Sequence, residues 1–83
     1  MQEKILDYRG EECPTPLIKV ARVIADIKEE TKIIILTNVE ECVNLLKETL
    51  EAFKASNIET RKMNSYWSIE AIIDYRTYVE AFQ

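Results

Sequence analysis

The stretch from Gly10 to Pro16 constrains the fold of this chain more than any other. It contains the only glycine among 83 residues, both prolines and one of the two cysteines. Glycine is favoured where φ is positive or where backbones approach closely. Proline fixes φ near the helical value, lacks an N–H and therefore suits the first turn of a helix. The stretch predicts a turn at Gly10 followed by a helix that begins at Pro14.

Cys13 directly precedes this predicted helix. With Pro14 as the first helical residue, Cys13 takes the N-cap position, where unpaired N–H groups and the helix dipole favour an anion. Such a position stabilises the thiolate, which is the nucleophilic form. The carboxylates of Glu11 and Glu12 oppose this effect. We therefore expect a moderately activated thiol. The alternative is a small apolar side chain with no role beyond packing.

Hydrophobic periodicity predicts a single α/β domain of the two-layer α+β type, with elements in the order βαβαββ. The predicted strands cover residues 4–8, 32–37, 57–63 and 66–73, and the predicted helices cover residues 14–28 and 39–55. A strand–helix–strand unit makes the first two strands parallel. The expected architecture is a four-stranded mixed sheet with both helices on one face. The domain spans residues 1–83, with a core at about 4–73.

Cys42 lies on the apolar stripe of the second predicted helix, for which Asn38 is the expected N-cap. The stripe consists of Val39, Cys42, Val43, Leu46, Leu50 and Phe53. This pattern predicts a buried thiol that serves the core. The alternative is a resolving cysteine for Cys13, which requires Cα atoms within about 7 Å. A position in the middle of the apolar face disfavours that contact.

Residues 74–83 form a C-terminal extension beyond the predicted core. Tyr75, Tyr78, Val79 and Phe82 recur at helical spacing, which predicts a short amphipathic helix. We expect this helix to cover the open face of the sheet or to mediate self-association, so the chain is expected to be a monomer or a weak homo-oligomer.

Composition excludes several function classes. The net charge of −4 argues against nucleic-acid binding, which needs a basic surface. Apolar runs are too short for a membrane span. The chain has no histidine, so neither a Cys/His metal site nor a Cys–His nucleophile is expected, and no cofactor is implied. Without a basic and then apolar leader pattern, a cytoplasmic location is expected.

Residues 6–17 resemble the signature of the TusA/SirA-type sulfur-carrier family. They read Leu-Asp-Tyr-Arg-Gly-Glu-Glu-Cys-Pro-Thr-Pro-Leu, and the family signature reads roughly Leu-Asp-x-Arg-Gly-x-x-Cys-Pro-x-Pro-Leu. The resemblance implies that Cys13 carries sulfur as a persulfide and that Arg9, Gly10, Pro14 and Pro16 form its supporting motif. It also implies two protein partners. One is a sulfur donor, either a cysteine desulfurase or a rhodanese-like protein, and the other is a sulfur acceptor.

The basic side chains near Cys13 have two interpretations. Arg9 and Lys19 are candidates to stabilise the sulfur anion or to contact an acidic partner, and the alternative is that both are solvated surface charges. Ile18 is either part of an apolar docking surface or an isolated surface residue.

Two other function classes stay open beside a sulfurtransferase-like carrier. One is a non-catalytic binding or regulatory module in which the Cys-Pro-x-Pro loop is only structural. The other is a thiol oxidoreductase, which is disfavoured because Pro16 occupies the position where a Cys-x-x-Cys motif has its second thiol.

Overall fold

The computed structural model describes residues 1–74, which form one four-stranded sheet and two helices. The elements in chain order are β1 (Gln2–Asp7), α1 (Thr15–Ala25), β2 (Thr31–Thr37), α2 (Glu40–Ala52), β3 (Ser56–Lys62) and β4 (Trp67–Ile73). The βαβαββ order and the α+β fold class confirm the prediction from periodicity.

The strands lie side by side in the order β1-β2-β4-β3. β1 and β2 are parallel, as a crossover through α1 requires, and β4 is antiparallel to both β2 and β3. β3 forms one edge of the sheet. Its polar sequence agrees with that place, because charged side chains on an edge strand discourage pairing with other chains.

The core lies between the helices and one face of the sheet. Alternation along β2 defines this face, since Ile33 and Ile35 are fully buried whereas Ile34 and Leu36 are half-buried. The helices contribute the buried side chains of Val20, Ile24, Cys42, Val43, Leu46 and Leu50. Full burial of a large aliphatic side chain contributes about 1.5–3 kcal/mol, so this layer is the main source of stability.

The helix starts differ from the prediction. Pro14 is the N-cap of α1, with φ −93° and ψ 7°, so Cys13 lies one residue before the cap rather than at it. Val39, not Asn38, is the N-cap of α2, and neither helix has a side-chain cap. The reason in the second case is that the Asn38 side chain bonds to a different segment.

Both helices also end three residues earlier than predicted. At the end of α1, the N–H groups of Asp26 and Ile27 donate to carbonyls three residues back, which tightens the last turn and stops the helix. After α2, Lys54 has φ +62°, a left-handed conformation that cannot continue an α-helix.

The sheet face opposite the helices is more open. Ile5 on β1 is 63% exposed, beside the half-buried Ile34. The predicted amphipathic helix that was expected to cover this face falls at residues 75–83, outside the described residues. Within residues 1–74, no helix has the length and apolar composition needed to cross a membrane.

Candidate functional site

The loops that follow β1 and β2 meet at one end of the sheet. Because the two strands are parallel neighbours, their carboxyl ends lie at the same end of the sheet. The N–H of Tyr8 donates to the carbonyl of Leu36 (2.9 Å), and the N–H of Gly10 donates to Oδ1 of Asn38 (2.9 Å). These bonds hold the loop before α1 against the segment before α2.

Gly10 adopts the conformation that its sequence context predicts. Its φ is +86°, in the left-handed region that other residues rarely occupy. A Cβ atom at this position would meet no heavy atom within 4 Å. The glycine is therefore required by its backbone conformation and not by lack of space.

The two prolines of the motif occupy different surroundings. Pro14 is exposed, follows Cys13 through a cis peptide bond and caps α1. Pro16 is buried in the first turn of the helix. Cys13 itself is half-buried and packs against the edge of the core. The motif thus combines one proline in the core with one at the surface beside the thiol.

The first turn of α1 does not provide the unpaired N–H groups that the N-cap prediction assumed. The N–H of Thr15 donates to the carbonyl of Glu12, those of Leu17 and Ile18 donate to the carbonyl of Pro14, and Pro16 has no N–H. That part of the prediction is wrong. What remains near the Cys13 sulfur is the electrostatic field of the helix N-terminus.

Cys13 and Cys42 form a disulfide, with their Cα atoms 5.8 Å apart. Cys42 is fully buried in the core, which confirms half of its prediction. The expectation that a mid-face position keeps it away from Cys13 is wrong. Cys42 is the third residue of α2 and so lies in the first turn of that helix. This turn lies at the same end of the sheet as the Cys13 loop. The parallel pairing of β1 and β2 was the signal that could have revealed this contact.

Arg9 is held by Asp7 and Tyr66. Its guanidinium donates to both carboxylate oxygens of Asp7, at 2.8 and 2.7 Å, and lies 5.1 Å from the ring centre of Tyr66. These hydrogen bonds lower the pKa of Asp7 to about 2, and the same partner raises the pKa of Arg9. The contacts with Asp7 and Tyr66 fix the Arg9 side chain at the base of the loop. Its role in stabilising a sulfur anion stays a prediction.

Lys19 is not an isolated surface charge. Its Nζ lies 2.7 Å from a carboxylate oxygen of Glu11 and 5.6 Å from the ring centre of Tyr8. Burial, followed by the charge of Glu11, raises the pKa of Tyr8. The ion pair joins α1 to the loop and offsets one of the two carboxylates that oppose a thiolate at Cys13.

Asn38 is the positioning residue that the sequence analysis missed. It was expected to cap α2, whereas its side chain bonds to Gly10, 28 residues away. For metals, residues 1–74 contain no cluster of three or more Cys, Asp or Glu side chains arranged to bind an ion.

The family model described as "Sulfurtransferase TusA" matches residues 4–72. The chain belongs to this family. Cys13 and all of its loop lie inside the matched residues. The structure is similar to that of a SirA-like protein from Desulfitobacterium hafniense, with a TM-score of 0.74, 18% sequence identity, and coverage of 83% of this chain and 95% of that one. This likeness establishes the fold. No curated protein sequence matches the chain.

Membership of the TusA family assigns the chain to the sulfur carriers, which act with other proteins. A non-catalytic binding or regulatory module, in which the Cys-Pro-x-Pro loop is only structural, stays an alternative.

Proposed function

We propose that this TusA-family protein accepts sulfane sulfur as a persulfide on Cys13 and passes it to an acceptor protein. The observation that carries the proposal is the position of Cys13 within the family match. It is half-buried, on a loop held by the bond between Gly10 and Asn38, at the N-terminal end of α1. A carrier needs a nucleophilic sulfur that is fixed in place and open to a partner.

The proposed transfer consists of two thiol exchanges. The Cys13 thiolate attacks the terminal sulfur of a donor persulfide, the donor S–S bond breaks, and the donor sulfur leaves as a thiolate. An acceptor thiolate then attacks the terminal sulfur of the Cys13 persulfide, and Cys13 leaves as a thiolate. The sulfane sulfur keeps its oxidation state throughout, so the two exchanges need neither a redox partner nor a cofactor once a dithiol has reduced the Cys13–Cys42 disulfide.

The loop presents the sulfur without large rearrangement. Pro16 is buried, Pro14 restricts the backbone beside the thiol, and Lys19 ties α1 to Glu11. A preorganised loop loses little conformational entropy when a partner docks. Ile18 is 51% exposed on the first turn of α1 and provides an apolar contact for such a partner.

The proposed partners are a persulfide donor of the cysteine desulfurase or rhodanese-like type and an acceptor protein with a reactive thiol. Arg9 is proposed to contact an acidic group on one of them, because half of its side chain is exposed despite its pairing with Asp7. We place the exchange in the cytoplasm, where thiols are kept reduced.

Intact-mass measurement after incubation with glutathione persulfide tests the proposal. The reduced Cys42→Ala protein, which has Cys13 as its single thiol, is expected to gain the mass of one sulfur atom. The matched Cys13→Ser/Cys42→Ala protein is expected to gain none. Absence of any gain in the first variant, or an equal gain in the second, would refute Cys13 as the carrier.

The disulfide favours a thiol oxidoreductase as a second candidate. In that function the Cys13–Cys42 pair would oxidise a substrate dithiol by exchange. Two results together would favour it over the carrier. The wild type would oxidise a dithiol peptide that Cys42→Ala leaves reduced, and Cys13 would take up no sulfur from glutathione persulfide.

A further inference from the structure

A carrier relay requires one thiol, whereas this fold brings two together. The sulfur of Cys42 is bonded to that of Cys13, and Cys42 is fully buried. A core position alone needs no sulfur, since an aliphatic side chain fills such space equally well. The contact between the two sulfur atoms therefore calls for a chemical explanation.

Bonds within the fold fix the positions of both cysteines. On the side of α2, the N–H of Cys42 donates to the carbonyl of Val39 (3.0 Å), and the N–H of Val39 donates to Oγ1 of the buried Thr37 (3.2 Å). On the side of α1, the bond from Gly10 to Asn38 holds the loop. Cys13 and Cys42 thus react from positions that the folded chain already provides.

We propose that Cys42 is a second catalytic residue, which resolves the Cys13 persulfide and releases hydrosulfide. The inference rests on the proposed function, because it starts from the loaded carrier. It adds a second outcome for the sulfur, namely reductive release in place of transfer to an acceptor.

The step balances without an external oxidant. The Cys42 thiolate attacks Sγ of Cys13, which is the inner sulfur of the persulfide. The bond between that sulfur and the terminal sulfur breaks, and its electron pair leaves with the terminal sulfur as hydrosulfide. The sulfane sulfur gains two electrons, the two cysteines lose two, and the proton of the Cys42 thiol goes to solvent. A dithiol reductant then restores both thiols by exchange.

The bond between Cys42 and Sγ of Cys13 indicates which sulfur of the persulfide Cys42 attacks. Attack on the terminal sulfur would move the persulfide to Cys42, where no acceptor protein could reach it. Attack on Sγ of Cys13 forms the bond that the structure contains and expels a small anion. The acceptor protein and Cys42 therefore compete for the loaded carrier, and sulfide is released when no acceptor is docked.

A disulfide of this kind also suits the proposed location. In the cytoplasm, disulfides of mesophilic proteins are usually transient and catalytic. A Cys13–Cys42 disulfide that forms each time sulfide is released, and is then reduced by a dithiol, agrees with that pattern.

The test compares the reduced wild type with Cys42→Ala after addition of one equivalent of glutathione persulfide. The wild type is expected to end as the Cys13–Cys42 disulfide and to release about one hydrosulfide per chain. Cys42→Ala is expected to keep the added sulfur and to release sulfide at least about tenfold more slowly, because it lacks the intramolecular thiol. Cys13→Ser gives the background release from the donor alone.

Each outcome separates this inference from the proposed function. If Cys42→Ala and the wild type keep the added sulfur equally long, the inference is overturned and the carrier function stands. If neither protein gains sulfur, both proposals fail. Sulfur found on Cys42 without release of sulfide also overturns the inference. Cys42→Ser provides a second variant in case the alanine protein does not fold, and persistence of the persulfide on the wild type is decisive in either case.

Discussion

The side chain of Asn38 accepts a hydrogen bond of 2.9 Å from the N–H of Gly10, across 28 residues of sequence. It links the loop that carries Cys13 to the segment that leads into α2 and Cys42. Together with the bond from the Tyr8 N–H to the Leu36 carbonyl, it contributes to the relative position of the two sulfur atoms.

Replacing Asn38 with alanine should loosen the Cys13 loop. The Gly10 N–H is exposed and can bond to water instead, so the expected loss in the free energy of unfolding is small, about 0.5–1.5 kcal/mol. The larger effect should be slower formation of the Cys13–Cys42 disulfide from the reduced protein, measured by mass after alkylation of the remaining thiols. Asn38→Asp keeps an acceptor oxygen and is the matched control. Oxidation of Asn38→Ala at the wild-type rate would show that the bond does not position the loop.

The disulfide should stabilise the oxidised protein. It closes a loop across a sequence separation of 29, for which the chain-entropy estimate is about 3–4 kcal/mol at 25 °C. Urea unfolding of the oxidised and reduced wild type measures the difference. Cys42→Ala should give one unfolding midpoint with and without reductant. Equal midpoints for both wild-type forms would contradict the expectation.

The sequence predicted the fold because its patterns are local and consistent. Helical spacing in α1 and α2 defines their buried faces, the continuous apolar run of β2 indicates a central strand, and the polar β3 strand identifies an edge of the sheet. Such signals depend only on residues that are close in sequence, so they can be recognised without knowledge of the tertiary structure. The family motif likewise marked Cys13.

The contacts between the two loops could not be obtained in this way. Asn38 is a good N-cap by residue type, but its side-chain oxygen accepts a hydrogen bond from the Gly10 N–H and not from an N–H of α2. Cys42 lies on the apolar stripe of α2, as its spacing predicts. However, a helical side chain points back towards the N-terminus of its helix, and the N-terminus of α2 lies at the end of the sheet where the Cys13 loop is found. Both outcomes depend on how the parallel strands place the loops, a relation between segments distant in sequence.

The Asp7–Arg9 pair should produce a specific dependence of stability on acidity. The folded pKa of Asp7 is about 2, below its ordinary value of 3.8. A lowered folded pKa gives stabilisation that is present above pH 4 and is lost as the pH falls from about 4 to about 2. The effect should be modest because both side chains are about half exposed.

Thermal unfolding at pH 2, 3, 4 and 6 measures this contribution. Asp7→Asn should show a smaller fall in melting temperature between pH 4 and pH 2 than the wild type. Asp26→Asn, at an exposed position at the end of α1, is the matched control. If the melting temperatures of the two variants fall by the same amount between pH 4 and pH 2, the Asp7–Arg9 pair does not contribute to stability.

In the reduced protein, Cys13 should react with iodoacetamide faster than Cys42. Cys13 is half-buried at the surface loop, whereas Cys42 is fully buried and must be exposed by local opening of the fold before it reacts. Opening that requires even about 1.4 kcal/mol slows the reaction about tenfold. Peptide mapping over time gives both rates, and the same measurement in urea, where both thiols are exposed, should bring the rates close together. Equal rates in the folded protein would show that Cys42 is accessible to external reagents, and the competition proposed between Cys42 and an acceptor protein would lose its structural basis.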